Sequence, residues 1–430
     1  MDKLTYKLRD LGEYKNGANY PKGSYGEGDK IVNVKDLFRG RYVSFDGLDE
    51  LKPNALKNKK IYLVEDGDLL FTRSSLVKSG AGMVAMIKDP KEDVLFCGFI
   101  IRYRPNKSKV YPLYLLYLLR SPNYRKLFTD GSAQTNISNI NQDTLGNIEV
   151  ELPSVDDQKK IVEIIDLCDK KIELNQRINA ELESMAKTLY DYWFVQFDFP
   201  NEKGKPYKSA GGKMVWNEEL KREIPLGWEI CELRKYVTAN RGLSYSGKHI
   251  TGGGVPMINL NSFNMAEGSY KPEGIKTYSG EYGNHKILKP FDLVMCNTQQ
   301  TALDPKKDII GKSFLVPDIF ETDIVSSHHV TTVTVEKENL KYYLNSLFNT
   351  GYFHRYISGY ATGTNILGLN FEGVLSYKTA IPSDDLLDRY KAIVVNVEKQ
   401  KARIIKETQT LTELRDWLLP MLMNGQVKVG

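Results

Sequence analysis

The feature that most constrains this chain is that it carries much of its own sequence twice. "GSAQTNISNIN", Gly131 to Asn141, returns in weakened form as "GYATGTNILGLN", Gly359 to Asn370. With one residue inserted after Ala361, the pairs Gly131/Gly359, Ala133/Ala361, Thr135/Thr364, Asn136/Asn365, Ile137/Ile366 and Asn141/Asn370 coincide. The match runs on into "ELPS" and "AIPS" through Pro153/Pro382 and Ser154/Ser383. Chance would supply about one or two identities over so short a span. Upstream, Leu116/Leu344, Leu119/Leu347 and Tyr124/Tyr352 share the offset that also carries Gly131/Gly359. Earlier still, "EDGDLLF" resembles "KPFDLVM" through Asp68/Asp292 and Leu69/Leu293, and "IVNV" resembles "MINL". A period of about 229 residues is far beyond that of solenoid repeats, so a whole domain is duplicated.

At 430 residues the chain is long enough for two or three domains, each with its own core. Each copy reads as mixed α/β. Short β-type runs such as "VLFCGFIIRYR" and "DIVSSHHVTTVTV" lie between turn-rich segments, and one short helix and the Asn-rich loop follow. A longer helical segment then follows each copy. Ile161, Ile165, Cys168, Ile172, Asn175, Asn179, Leu182, Ala186, Leu189 and Trp193 recur at alternating steps of four and three, a heptad seam interrupted by two Asn. Tyr390, Val394, Val397, Lys401, Ile404, Thr408, Leu411, Arg415, Leu418 and Leu422 form a poorer second seam. Two similar stripes a domain apart predict an antiparallel pair, each helix of roughly 35 residues and about 50 Å. The predicted layout is a domain at 1–153, a helix at 154–196, a Gly-, Pro- and charge-rich crossing linker at 197–228, a second domain at 229–383 and a helix at 384–430.

Searching the chain for catalytic chemistry returns nothing. There is no GxxxxGK[ST] loop, and "TGGGVP" leads through Pro256 into a strand and not a helix N-terminus, so it reads as a turn. His328 and His329 are adjacent on a predicted strand, where successive side chains point to opposite faces and cannot easily share a metal. Asp66 and Asp68 form a carboxylate pair of which the second copy keeps only Asp292, and a pre-strand turn explains both. Cys97, Cys168, Cys231 and Cys296 lie too far apart for a zinc spacing or a disulfide framework, which predicts reduced thiols. The longest apolar run, Tyr111 to Leu119, is too short to span a bilayer, and "MDKLTYKLRD" has no apolar signal core, which predicts a cytoplasmic protein without membrane partners.

Polar side chains on loops at matched places stand out instead. After the Asp68 strand come Arg73, Ser74, Ser75 and Lys78; after the Asp292 strand come Asn297, Thr298, Gln299, Gln300 and Thr301. These groups suit base edges, since Arg pairs bidentately with guanine and Asn or Gln with adenine. Position is shared while content differs, as expected of two domains reading different sequences. The Asn-rich loops add Gln134, Thr135 and Ser138, matched by Thr362 and Thr364. The identical Asn136 and Asn365 are expected to hold the loop backbone through Asx-type bonds. Near the domain starts, Lys15, Lys22, Arg241, Tyr245 and Lys248 suit phosphates. The net charge of +5, with a pI near 8.6, permits such binding without demanding it.

At this point the chain resembles a known family, the specificity subunits of type I restriction–modification systems. The resemblance rests on "QKKIVEIIDLCDKKIELNQRINAELESMAKTLYDYWFVQFDFP", "GKPYKSAGGKMVWNEELKREIPLGWE" and "LRDWLLPMLMNGQV", and extends over essentially the whole chain. The first copy opens at "MDKLTYKLRDLG" without the "IPLGWE" lead-in of the second, so its start is expected to be trimmed or variable. The resemblance implies two α/β target-recognition domains, each reading half of a bipartite site in double-stranded DNA, held apart by an antiparallel coiled coil. It also implies assembly with two methyltransferase subunits, and with restriction subunits for cleavage. S-adenosylmethionine, ATP and Mg would then be bound by those partners, leaving this chain non-catalytic and without a cofactor or metal. Three rivals stand beside this reading: the specificity protein of a type IIB-like system, an enzyme with an unrecognised site, and a helical scaffold without sequence readout.

Overall fold

The runs "DLLF" and "DLVM" are apolar through their whole strand length, a pattern that suits a strand covered on both faces. A computed structural model describes residues 3–75, 80–130, 138–264, 269–300 and 308–427 of the chain, and in it both runs are such strands. Leu69 and Phe71 face one apolar cluster and Leu70 the other. In the second copy Leu293 and Met295 face one cluster, Val294 and Cys296 the other. Asp68 and Asp292 close the turn before each strand. Their carboxylates accept from the backbone N–H of Glu65 (2.7 Å) and Lys289 (2.8 Å), as the pre-strand-turn reading requires.

The chain divides into two compact units, Met1–Ile172 with Leu411–Gly430, and Glu173–Thr410. The first holds an antiparallel sheet of four strands in the order Gly12–Asn16, Ile100–Pro105, Leu69–Thr72, Val84–Met86. Beside it lies a sheet in the order Asp49–Leu51, Tyr25–Val32, Val94–Phe96, whose last pair is parallel. Leu4–Lys7 pairs with Glu149–Leu152. The second unit repeats every element. Its four-stranded sheet is Val237–Arg241, Val330–Val335, Leu293–Cys296, Ser313–Leu315. Its three-stranded sheet is Lys276–Tyr278, Val255–Ile258, Val325–Ser326, and Glu229–Glu232 pairs with Lys378–Ile381. In place of the single short helix expected per copy there are two in succession: Pro112–Arg120 then Pro122–Asp130, and Leu340–Phe348 then Gly351–Ser358. Ser121 and Thr350 break the apolar run between them, and each is followed by a residue that restarts a helix.

"ELPS" and "AIPS" are helix start signals. Ser154 Oγ accepts from Asp157 N (3.2 Å) and Ser383 Oγ from Leu386 N (3.4 Å), capping the helices Val155–Tyr190 and Asp384–Met423. All twenty predicted seam positions are buried or half-buried. Within the second unit Asn175 Nδ2 donates to Glu407 Oε2 (2.8 Å) and Thr408 Oγ1 (3.2 Å), Lys401 meets Glu183 (3.2 Å), and Trp193 packs on Tyr390. Within the first, Asp169 meets Arg415 (2.9 Å), and Ile161 and Ile165 share a cluster with Leu422. Numbers rise along one helix as they fall along the other, so the pair is antiparallel. Burial alone would lower the Lys401 pKa, but the carboxylates of Glu398 and Glu183 outweigh it and keep the ammonium charged.

The stretch 197–228, expected to cross as a linker, is folded. It forms the hairpin Met214–Asn217 with Arg222–Pro225 and buries Phe197, Phe199 and Ile224 in the second unit's core. Its aromatic residues, scattered among Gly and charge, supply the apolar area that the composition hides.

One buried ion cluster ties the first domain to both helices. Arg41 is nearly enclosed and reaches Asp169 (2.6 Å) and Asp166 (3.1 Å), while Asp169 also takes Arg415 and the Tyr117 hydroxyl (2.5 Å). Replacing Arg41 by Ala is expected to destabilise the first unit by about 3–5 kcal/mol, because two largely buried carboxylates lose a shared partner. A lowered urea midpoint checks this, and Arg41→Lys should recover little, since one ammonium cannot span both carboxylates.

Candidate nucleic-acid interface

The strand Leu69–Thr72 ends at Arg73, and Arg73 is where distant segments of the first unit meet. Its backbone N–H donates to the Phe99 carbonyl (2.8 Å), and its guanidinium Nη1 to the Gly98 carbonyl (3.4 Å). Its own carbonyl accepts from Ile140 N (2.8 Å). Just beyond, Ser74–Ser75 pairs antiparallel with Ser138–Asn139, Ser75 opposite Ser138 and Ser74 opposite Asn139. The domain-start segment arrives through Gly17, whose N–H donates to the Ile100 carbonyl (3.0 Å). A Cβ on Gly17 would lie 1.9 Å from the Cys97 carbonyl oxygen, so only glycine permits the crossing.

The second unit builds the same hub around Asn297. Its N–H donates to the His329 carbonyl (3.0 Å), its side-chain Nδ2 to the His328 carbonyl (3.1 Å), and its carbonyl accepts from Leu369 N (2.8 Å). Thr298–Gln300 pairs with Ile366–Leu369, Gln299 opposite Leu367 and Thr298 opposite Gly368. Gly242 N donates to the Val330 carbonyl (2.9 Å), and a Cβ there would lie 2.2 Å from the Ser327 carbonyl oxygen. The geometry therefore superposes Arg73 on Asn297, Ser74 on Thr298, Ser75 on Gln299 and Asn141 on Asn370. One backbone pattern carries different side chains in the two copies.

Asn297 and Gln299 are not free to read a base. Asn297 is 3% and Gln299 5% exposed. Besides the His328 carbonyl, Asn297 Nδ2 meets Thr331 Oγ1 (2.7 Å), and its Oδ1 accepts from Thr298 Oγ1 (2.7 Å). Gln299 Oε1 accepts from Ile309 N (2.6 Å). Both turn inward because the residue after a strand that is buried on both faces must satisfy the turn it abuts. Thr362 and Thr364 are exposed on the hairpin of Ala361–Thr362 with Ile366–Leu369, whose turn contains Gly363 at φ 137°. Arg241 and Lys248 are exposed, whereas Tyr245 is half-buried with its ring against Tyr278 and His328. Arg73 and Ser74 are half-buried; Ser75, Ser138 and Gln300 are placed by their strands. Lys78, Gln134, Thr135, Thr301 and Asn136 lie outside the described residues.

The loop-holding asparagines are Asn141 and Asn370. Asn141 Oδ1 accepts from Thr144 N (2.7 Å) and Asn370 Oδ1 from Glu372 N (3.0 Å), whereas Asn365 is exposed. His328 and His329 do not lie on a strand. They occupy a turn between Val325–Ser326 and Val330–Val335, with rings 3.8 Å apart on one side. Burial, and then the neighbouring His328 and Lys276, lower the His329 pKa. Among the described residues no group of three or more His, Cys, Asp or Glu is placed to hold a metal ion, and no helix is long and apolar enough to cross a membrane. Sequence reasoning missed this turn and its counterpart at Cys97–Phe99, because "FCGFI" and "VSSHHV" share almost no residues. It also missed the surface pair in which Gln142 Nε2 donates to Asn16 Oδ1 (3.0 Å).

Gln299→Ala is expected to cost about 1–3 kcal/mol of stability by leaving the buried Ile309 N–H without its acceptor. Thr362→Ala and Thr364→Ala, both exposed, should stay within about 0.5 kcal/mol of the parent. Thermal denaturation of the three variants checks the contrast.

Residues 2–184 match the domain family described as the type I restriction modification DNA specificity domain. Over 98% of its length the chain is 23% identical to the type I restriction enzyme MjaIX specificity subunit of Methanocaldococcus jannaschii, covering 93% of that protein. It is 22% identical to the HindI specificity subunit of Haemophilus influenzae, covering 92% of this chain and 94% of that one. In fold it is similar to the crystal structure of a type I restriction–modification system S subunit from M. genitalium, with a TM-score of 0.58, 12% identity, and 98% and 96% of the two chains covered. A duplicated domain built on one repeated hub and two capped helices paired antiparallel go with this similarity: the chain is similar over nearly its whole length to type I restriction enzyme specificity subunits, and residues 2–184 match the DNA specificity domain family.

Proposed function

We propose that this chain is the non-catalytic DNA-recognition subunit of a cytoplasmic type I restriction–modification enzyme, each domain reading one half of a bipartite site in double-stranded DNA. One observation carries the reading. Three loops far apart in sequence converge in each unit on one hub, bonded alike around Arg73 and Asn297, while the side chains presented differ. A frame held by the backbone leaves the side chains free to change, which is what reading different sequences on one fold requires. Arg73, Ser74, Ser75, Lys78, Gln134, Thr135 and Ser138 are the readers of the first domain. Thr298, Gln300, Thr301, Thr362 and Thr364 are those of the second, and Arg241 and Lys248 meet phosphates. Methyltransferase subunits dock on the helices and bring S-adenosylmethionine; restriction subunits bring ATP and Mg.

The purified chain is expected to bind a bipartite duplex with an affinity that falls steeply with salt, as counterions are displaced. It should methylate only when its methyltransferase subunit is added. Methylation by the chain alone, or binding without sequence preference, would refute the assignment.

The helices set the spacer between half-sites. One heptad inserted in both, where Asn175 faces Thr408, adds seven residues at 1.5 Å, about 10 Å, or roughly three base pairs at 3.4 Å per step. A heptad keeps the seam in phase, whereas three or four residues rotate it away. Three base pairs also turn the duplex by about a quarter turn or more, so affinity should fall even as the preferred spacer lengthens. Selection from pools with random gaps measures it, and an unchanged spacer at full affinity means that something else is the ruler.

A further inference from the structure

We propose that the two-residue turn at Gly98–Phe99 and His328–His329 is a further specificity-determining element. In the first half-site Phe99 makes apolar contact with a thymine methyl group, and in the second the histidine pair makes hydrogen bonds. The inference rests on the DNA-reading role proposed above.

Phe99 is 63% exposed. A single exposed apolar side chain is ordinary, so exposure alone argues nothing; the mounting is what matters. Strands buried at both ends flank the turn, the Ile100 N–H donates to the Cys97 carbonyl (3.0 Å), and Arg73 holds the carbonyls of both turn residues. The ring is thus presented from a fixed backbone at the residue where the reading loops converge. Asn19 also borders the turn, since a Cβ on Gly98 would fall 2.1 Å from its Oδ1.

In the second unit the same two positions hold His328 and His329. The Val330 N–H donates to the Ser327 carbonyl (2.9 Å), matching Ile100 and Cys97, and Asn297 holds both turn carbonyls as Arg73 does. The His328 N–H donates to the Leu243 carbonyl (2.7 Å), joining the turn to the domain-start loop. Among the described residues the Nδ1 atoms of both rings are enclosed without a hydrogen-bond partner. Position and mounting are shared, but one copy offers a hydrocarbon ring and the other imidazoles. That is the contrast seen in the reading loops, and it matches the two ways a base edge is distinguished, by apolar contact with the thymine methyl group and by hydrogen bonds.

The test uses the full chain. Selection from randomised duplexes defines the preferences of the parent, of Phe99→Ala and of His329→Ala. Phe99→Ala is expected to lose preference at one thymine-bearing position of the first half-site and to leave the second half-site intact; His329→Ala should do the converse. At that position, deoxyuridine in place of thymidine removes only the methyl group. The parent should bind the thymidine duplex about fourfold more tightly, the equivalent of one methyl-sized apolar contact, and Phe99→Ala should bind both alike. Because Phe99 is exposed, its variant should melt with the parent. Unchanged preferences, an equal loss on every sequence, a change at a position without thymine, or a thymidine preference surviving in Phe99→Ala would each overturn the proposal. A parent that selects no sequence at all would instead defeat the DNA-reading role, and the turn's role with it.

Discussion

Everything in this chain is organised by the pairing of two helices that lie a domain apart in sequence, and what fixes that pairing is polar. An apolar heptad seam alone is tolerant of slippage and of direction, since one Leu or Ile layer packs much like the next. Asn175 against Thr408, Lys401 against Glu183, and Asp169 against Arg415 match only in one register and only antiparallel. Each carries a desolvation cost that a hydrocarbon pair would not. A chain that needed only a stable hairpin of helices would have no use for them.

The duplicated domains show what such a fold can vary and what it cannot. The fixed parts are backbone groups and the residues that let backbones approach: Gly17 and Gly242 where strands cross, Asn141 and Asn370 where a loop turns, Asp68 and Asp292 before the doubly covered strand. The varied parts hang from them. Arg73 and Asn297 differ in size and charge, yet both reach the same carbonyl.

Much of this was legible in the sequence because it depends on local periodicity. The two seams follow from steps of three and four, whereas the capping of each helix by the Ser of the repeated Pro-Ser is seen in the structure. The duplication followed from a handful of identities, of which Asn141/Asn370, Ser154/Ser383 and Asp68/Asp292 hold backbone turns or helix starts. Less legible was which way a polar side chain faces at the end of a strand. Asn297 and Gln299 read as surface amides, but Ile309 and Thr331, which claim them, are brought up by tertiary structure alone. "SSHHVTTVTV" reads as one unbroken strand, since nothing in its alternation marks a turn at the histidines. The stretch 197–228 reads as a tether, because its buried Phe197, Phe199 and Ile224 are diluted among Gly, Lys and Glu.

The division into units has a consequence for how the protein is made. The first unit is discontinuous: Leu422 and Met423 sit in its core, Arg415 in its ion cluster, and the Lys3 ammonium donates to the Met423 carbonyl (2.6 Å). Those residues leave the ribosome only after the whole second unit has emerged. The domain synthesised first is therefore completed last, and until then Asp169 waits with Arg41 alone from that cluster's two arginines. The second unit is continuous in sequence, the condition under which domains generally fold as units during synthesis. Damage at the far end of the chain is thus felt by the domain at its beginning.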